Sequence, residues 1–232
     1  MSPESGKAVV LLSGGLDSTV TAAIARQEGL ALYCLTVVYG QRHAVETGCA
    51  QAVAAYLGAE EHLVIDVNLR AIGGSALTDD IAVPKGRPPK DRAESIPITY
   101  VPARNTIFLS LALAYAEARA ASWIYFGANV LDYSGYPDCR PEFIRAFEAM
   151  ARLGTSAGAA GRPIQVRAPL LMLSKADIVK RGVDLRVPFE QTHSCYDPDL
   201  AGTACGRCDS CIIRREGFRL AGVVDPIRYA VP

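Results

Sequence analysis

The sequence predicts an α/β protein, a mainly parallel sheet flanked by helices, with a small cysteine-bearing appendage at its C-terminal end. Three observations carry that prediction. Strand-like and helix-like segments alternate about five times along the chain. The first strand, Lys-Ala-Val-Val-Leu-Leu at 7–12, is apolar without period-two alternation, as a strand covered on both faces should be. The alternation is lost after about Arg186, where four cysteines gather.

Taken in order, Ser13-Gly14-Gly15 breaks the first strand, and an Ala-rich helical pattern follows from Thr19 to Gln27, with Asp17 or Ser18 placed to cap it. A second strand is expected over Leu30–Val38, a helix over His43–Leu57, and a third strand over His62–Val67. The stretch from Asn68 to Pro102, rich in proline and glycine, predicts a long excursion with at most short structure, functional or mobile. Helical periodicity returns over Asn105–Ala121, then a strand over Trp123–Gly127, turn chemistry over Asp132–Pro141 and a helix over Glu142–Leu153. Gly154–Gly161 predicts a flexible connector, Ile164–Ala168 a strand, and Ser174 to about Arg181 the last helix of the alternating pattern. The expected division is residues 1–185 as the α/β domain and 186–232 as the metal-binding region.

Composition narrows the function. In 232 residues, 24 basic side chains balance 24 acidic ones, which removes the long-range field expected of a protein that clamps a nucleic-acid backbone. No apolar run reaches membrane-spanning length, and Met1 to Lys7 does not lead into a signal-type segment, so the expected address is cytoplasmic, with no membrane partner. Structural disulfides are disfavoured there, and the seven cysteines need another account. Cys34 and Cys49 read as small core residues.

Ser13-Gly14-Gly15-Leu16-Asp17-Ser18 stands between the first strand and the first helix, where parallel sheets bind ligands. Two glycines let the backbone approach an anion, the helix N–H groups point at it, and Ser13, Ser18 and Thr19 add hydroxyls. Neither a Walker lysine nor the third glycine of a dinucleotide fingerprint is present. A carboxylate in such a nest is repulsive unless it caps the helix or holds a cation; Mg²⁺ bridging phosphate and Asp17 would satisfy it.

Cys195, Cys205, Cys208 and Cys211 lie within 17 residues, three of them at Cys-x2-Cys-x2-Cys spacing. Four thiolates make the closed tetrahedral site of structural zinc, one ion per chain, with an iron–sulfur cluster as the rival.

Ser-Gly-Gly-Leu-Asp-Ser is also the signature of the PP-loop ATP pyrophosphatase superfamily, and the chain resembles it there. Tyr39-Gly40-Gln41-Arg42-His43, Tyr100-Val101-Pro102-Ala103-Arg104-Asn105, the 132–140 loop, Thr192-His193-Ser194-Cys195-Tyr196 and Ala204 to Cys211 extend the likeness. Together, from about Lys7 to Gly217, they resemble the 7-cyano-7-deazaguanine synthase (QueC) family. The resemblance implies a Rossmann-like adenine nucleotide alpha hydrolase sheet and conversion of 7-carboxy-7-deazaguanine, ammonia and ATP to the nitrile in queuosine biosynthesis. It also implies a homodimer.

On that basis Leu12, Ser13, Gly14, Gly15, Leu16, Asp17, Ser18 and Thr19 are expected at the ATP phosphates, with Asp17 on Mg²⁺ and Lys175 reaching them from late in the domain. Tyr39 and Gln41 are expected to border the adenine, and Arg104 to neutralise charge developing on the adenylate, a structural salt bridge being its alternative. Asp132, Tyr133, Tyr136, Asp138 and Arg140 are expected around the deazapurine: tyrosines stacking, a carboxylate on its amino edge, Arg140 on its carboxylate. A tRNA-modifying PP-loop enzyme is the rival function; it would need a basic docking surface, and the zero net charge counts against one. A non-catalytic zinc module would leave the glycine turn unexplained.

Overall fold

A computed structural model describes residues 6–40, 45–87, 96–131 and 136–230. Five parallel strands form one sheet: β1 (Lys7–Leu11), β2 (Ala31–Val38), β3 (Glu61–Asp66), β4 (Trp123–Tyr125) and β5 (Gln165–Arg167), in the order β3-β2-β1-β4-β5. The missing alternation in β1 has a direct cause. As the central strand, it sends Ala8 and Val10 into one core and Val9 and Leu11 into the other, each face covered.

The first core lies against α1 (Leu16–Gln27), α2 (Val45–Tyr56) and α6 (Lys175–Asp184); the second lies against α3 (Arg104–Ala118) and α4 (Pro141–Gly154). The chain runs outward from β1 to β3 and then returns across the sheet to β4. That reversal opens a crevice between the carboxyl ends of β1 and β4, the switch point where such sheets bind ligands.

Three expectations are corrected or sharpened. Neither Asp17 nor Ser18 caps α1: the cap is Gly15, in extended conformation, because the Ser18 hydroxyl turns back onto the Gly15 carbonyl at 3.0 Å. The 154–161 connector contains a one-turn helix, α5 (Ser156–Ala159), capped by Thr155 Oγ1, which accepts from Gly158 N at 3.0 Å. It is pinned by the Glu117 carboxylate, which accepts from Ala157 N and Ser156 Oγ.

The excursion after β3 has little regular structure among its described residues beyond a 3₁₀ turn at Leu69–Ala71. Yet Leu69, Ala76, Leu77, Val83 and Val101 build a third core with the four C-terminal cysteines. The C-terminal region carries that cluster and adds α7 (Asp209–Ala221). Its Phe218 meets Phe189 edge-on at 5.1 Å inside the first core. No helix among the described residues is long and apolar enough to cross a membrane.

Candidate active site

The crevice holds a cavity of about 220 Å³. Its floor is the turn from Leu12 to Ser18. Gly14 sits at φ +79°, and a Cβ there would come within 2.4 Å of the Glu46 carbonyl and 2.7 Å of Ala50 N, so only glycine fits. Ser13 Oγ accepts from Gly15 N at 3.3 Å and lies 3.0 Å from Ser18 Oγ, which holds the turn shut on itself. Helix geometry leaves the N–H groups of Leu16, Asp17 and Ser18 without intrahelical acceptors, and the Leu16 N–H reaches Ser194 Oγ at 3.4 Å. Such an end attracts anions.

The carboxylate in this nest has found its cation. Lys175 Nζ lies 2.6 and 2.8 Å from the two Asp17 oxygens, and its side chain is only 9% exposed. Lys175 opens α6, whose N-cap Ser174 accepts from Asp177 N. The lysine stem lies against α7 where residue 217 has no side chain: a Cβ on Gly217 would fall 2.2 Å from Lys175 Cγ.

One wall comes from β2 and the segment after it, with Val37, Tyr39 and Glu46, and from the start of α3, with Arg104 and Phe108. The Arg104 guanidinium lies 5.9 Å over the Tyr39 ring and 6.0 Å over Phe108. Burial pushes the Tyr39 hydroxyl up to about 12 against the pull of Arg104, so it stays a neutral donor. Burial likewise pushes the Glu46 carboxyl up to about 7, again against Arg104. Tyr136 completes the aromatic lining, tilted on Tyr100 at 5.7 Å, with its hydroxyl 3.0 Å from Thr99 Oγ1.

The opposite wall follows β4. A Cβ on Gly127 would lie 3.1 Å from Ser18 N, so this glycine lets the chain after β4 close on the first turn of α1. Asn129 donates to the carbonyls of Leu170 and Leu173 at 2.8 and 2.7 Å.

The C-terminal region closes the cavity through His193, Ser194, Tyr196 and Arg214. His193 N donates to Gly14 O at 2.9 Å. Arg214, 2% exposed, donates to both oxygens of Asp225 at 2.9 and 3.0 Å and to Thr192 Oγ1 at 2.7 Å.

Of the residues expected here, Leu12, Ser13, Gly15, Leu16, Asp17, Ser18, Tyr39, Arg104, Tyr136 and Lys175 converge on the cavity. Gly14 shapes the turn from behind, and Thr19 is buried with its hydroxyl on Gly15 O. Asp138 is buried outside the lining, its Oδ2 accepting from Asn105 N. Arg140 is exposed at the N-cap of α4, also outside it. Gln41, Asp132 and Tyr133 lie outside the described residues. Glu46, Asn129 and Arg214 are additions that no local sequence pattern announces, while His193 and Ser194 belong to a stretch that carries the family resemblance but predicts no site role for them.

Cys195, Cys205, Cys208 and Cys211 are all buried, and their sulfurs lie within 4.8 Å of one another. Backbone N–H groups of Cys205 and Asp197 point at Cys195 Sγ, and those of Cys208 and Arg207 at Cys205 Sγ. Hydrogen bonds with Cys195 and Cys211 pull the Cys208 thiol down, and hydrogen bonds with Cys195 and Cys208 push the Cys211 thiol up. The segment at 85–87 closes over them: Gly86 N donates to Arg207 O, Lys85 pairs with Asp197 at 2.7 Å, and Arg87 pairs with Asp209. This donor set fits one soft metal ion. Cys34 and Cys139 have thiols pushed by burial to about 12 and are inert at neutral pH.

The chain is 58% identical over 223 residues to the 7-cyano-7-deazaguanine synthase of Myxococcus xanthus, covering 96% of this chain and 97% of that one. It is 59% identical over 228 residues to that of Anaeromyxobacter dehalogenans, covering 98% and 97%. The solved NMN synthetase of Francisella tularensis shares the fold at a TM-score of 0.51 and 18% identity, over 95% of this chain and 79% of its own. The model of the family described as queuosine biosynthesis protein QueC matches residues 7–222, and the chain belongs to that family.

Proposed function

We propose that the chain makes 7-cyano-7-deazaguanine from 7-carboxy-7-deazaguanine, ammonia and ATP, splitting ATP between its α and β phosphates. The observation that carries this reading is the closed Ser13–Ser18 turn at the sheet's switch point, with Lys175 and Asp17 paired at its edge and an aromatic-walled cavity beyond. A ligase of this kind must hold a leaving diphosphate and an organic acid side by side, and the cavity offers an anion nest next to flat apolar surfaces.

In the first round the substrate carboxylate attacks the α-phosphorus and diphosphate departs into the nest. The N–H groups at the start of α1 and the Lys175 ammonium stabilise its growing charge. Arg104, held over Tyr39 and Phe108, offsets charge on the adenylate, and the same rings with Tyr136 stack on the two heterocycles. Ammonia displaces AMP to give the amide. Adenylation of the amide oxygen and loss of a second AMP give the nitrile. Asp138 acts on this wall through Asn105 and not by direct contact. Asp17 would supply the carboxylate for Mg²⁺ bound with the nucleotide, one carboxylate plus phosphate oxygens being a donor set that ion accepts.

Residues 186–232 form the metal region, with zinc held by Cys195, Cys205, Cys208 and Cys211. A single tetrahedral ion at a Zn–S distance of about 2.3 Å sets its sulfurs about 3.8 Å apart, and Cys195 Sγ to Cys208 Sγ is 4.0 Å. A cluster spreads its cysteines over several irons and would demand a wider set. With four protein ligands the ion has no open position, so its role is structural.

The test is incubation of the whole protein with ATP, ammonium and 7-carboxy-7-deazaguanine. Release of AMP, diphosphate and nitrile, each dependent on the heterocycle, is expected. ADP release, or ATP turnover that responds to tRNA and ignores the heterocycle, would reject the assignment.

A further inference from the structure

We propose that Glu46 is the general base of the nitrogen steps, the cavity-wall group that deprotonates ammonium and takes up protons as the amide and then the nitrile form. This rests on the adenylation chemistry proposed above. Between ammonium and a nitrile the nitrogen loses four protons. The first must go before the lone pair can attack the carbonyl carbon of the acyl-adenylate. Another leaves as that adduct breaks its C–O bond to AMP and becomes the amide. The last two leave around the second adenylation, as the C–O bond to AMP breaks and the C≡N bond is completed. Each needs an acceptor within reach of the reacting nitrogen.

Few groups on the described walls can serve. Both Asp17 oxygens are engaged by Lys175. Arg104, Arg214 and Lys175 are cations. Tyr39, Tyr136 and Cys139 have their protons held more firmly by burial. Glu46 and His193 remain.

Glu46 is favoured on three grounds. Its carboxylate attracts the ammonium cation, which an imidazole does not. It stands on the first turn of α2, its backbone carbonyl against Gly14, so it adjoins the turn assigned to the departing diphosphate. It keeps part of its surface open to the cavity, whereas His193 is 7% exposed. Among the described residues, the charged and titratable groups that face it are Arg104 from α3, Tyr39 from the end of β2, and Cys49 on its own helix, which also feels Arg214 of α7. Burial sets its titration near neutrality, where a base both accepts and releases protons readily.

The experiment compares E46Q, E46D and H193Q with the unsubstituted, metal-loaded chain. Adenylation is read as heterocycle-dependent exchange of diphosphate into ATP without ammonium, and the nitrogen steps as amide and nitrile produced. E46Q should keep exchange within a few-fold and lose amide formation by about 10²-fold or more, the usual weight of a general base. The unsubstituted enzyme's rise in rate through pH about 7 should vanish in E46Q. What remains should climb with free ammonia at higher pH, and E46D should recover part of the loss. Equal loss of exchange and amide formation, unchanged amide formation, or a pH limb that survives E46Q but is abolished by H193Q would each overturn the assignment to Glu46. Absence of heterocycle-dependent exchange in the unsubstituted chain would instead overturn the adenylation reading, and this inference with it.

Discussion

Gly217→Ala tests whether α7 positions Lys175. The added Cβ would lie 2.2 Å from Lys175 Cγ and 3.0 Å from its Cβ, and the lysine is too buried to swing into solvent. To reach ordinary van der Waals separation the stem must retreat by about 1.2 Å, drawing Nζ from the Asp17 oxygens or pushing α6 from α7. Overpacking of this kind costs about 1–3 kcal/mol, and the better helix propensity of alanine returns about 1 kcal/mol. A net loss of about 0–2 kcal/mol in a urea melt is expected. Diphosphate release should fall much further, because displacing a positioned group by about 1 Å costs on the order of 10²-fold.

A double-mutant cycle isolates the contact. Lys175→Ala alone strands the Asp17 carboxylate, a loss of about 3–5 kcal/mol for a buried partner. It also removes Cγ and leaves only the 3.0 Å approach to Cβ, so Gly217→Ala in that background should cost distinctly less. The stability effects should therefore be non-additive by about 1–3 kcal/mol. Additive effects, or G217A releasing diphosphate at the unsubstituted rate, would refute the argument that this glycine exists to seat the lysine.

Elemental analysis should find one zinc per chain; Cys208→Ser should release it and lower Tm by about 10 °C, several kcal/mol at about 2–4 °C each. Asn129→Ala leaves the carbonyls of Leu170 and Leu173 without their donor, so the urea midpoint should fall by an amount worth about 1–3 kcal/mol with the slope unchanged. Gly127→Val drives a side chain into the Ser18 backbone, which cannot give way, and should raise the KM for ATP more than it lowers Tm.

What was legible in the sequence is what short stretches of chain decide by themselves. The glycine turn, the uniform apolarity of β1 and the cysteine spacing are local, and each stands where its chemistry requires. Lys175 could be nominated, but not its partner, because 158 residues separate it from Asp17. Glu46 was invisible for another reason: an acidic residue in a helix's first turn is ordinary dipole compensation, and only the fold shows that it faces a cavity. Asp138 shows a remote demand. Ala103 enters α3 in the left-handed region at φ +51° with no side chain to cap it, so the carboxylate answering Asn105 N comes from 33 residues downstream. Turn residues in the 132–140 loop could not reveal that obligation.

The third core joins the metal site to the chemistry more tightly than two separate regions would suggest. Tyr39, on the cavity wall, and Val101, whose carbonyl accepts from Arg104 N, share that core with all four cysteines. Ser194, whose hydroxyl accepts from the first N–H of α1, immediately precedes Cys195. Cys208 caps α7 and Cys211 lies in its first turn; farther along the helix come Arg214, on the cavity, and Gly217, against Lys175. An ion held by these four sulfurs would thus brace three sides of the cavity without lying on it. Its removal should damage adenylation and ammonia transfer together, whereas E46Q should separate them, because one perturbation moves the walls and the other removes a single proton acceptor.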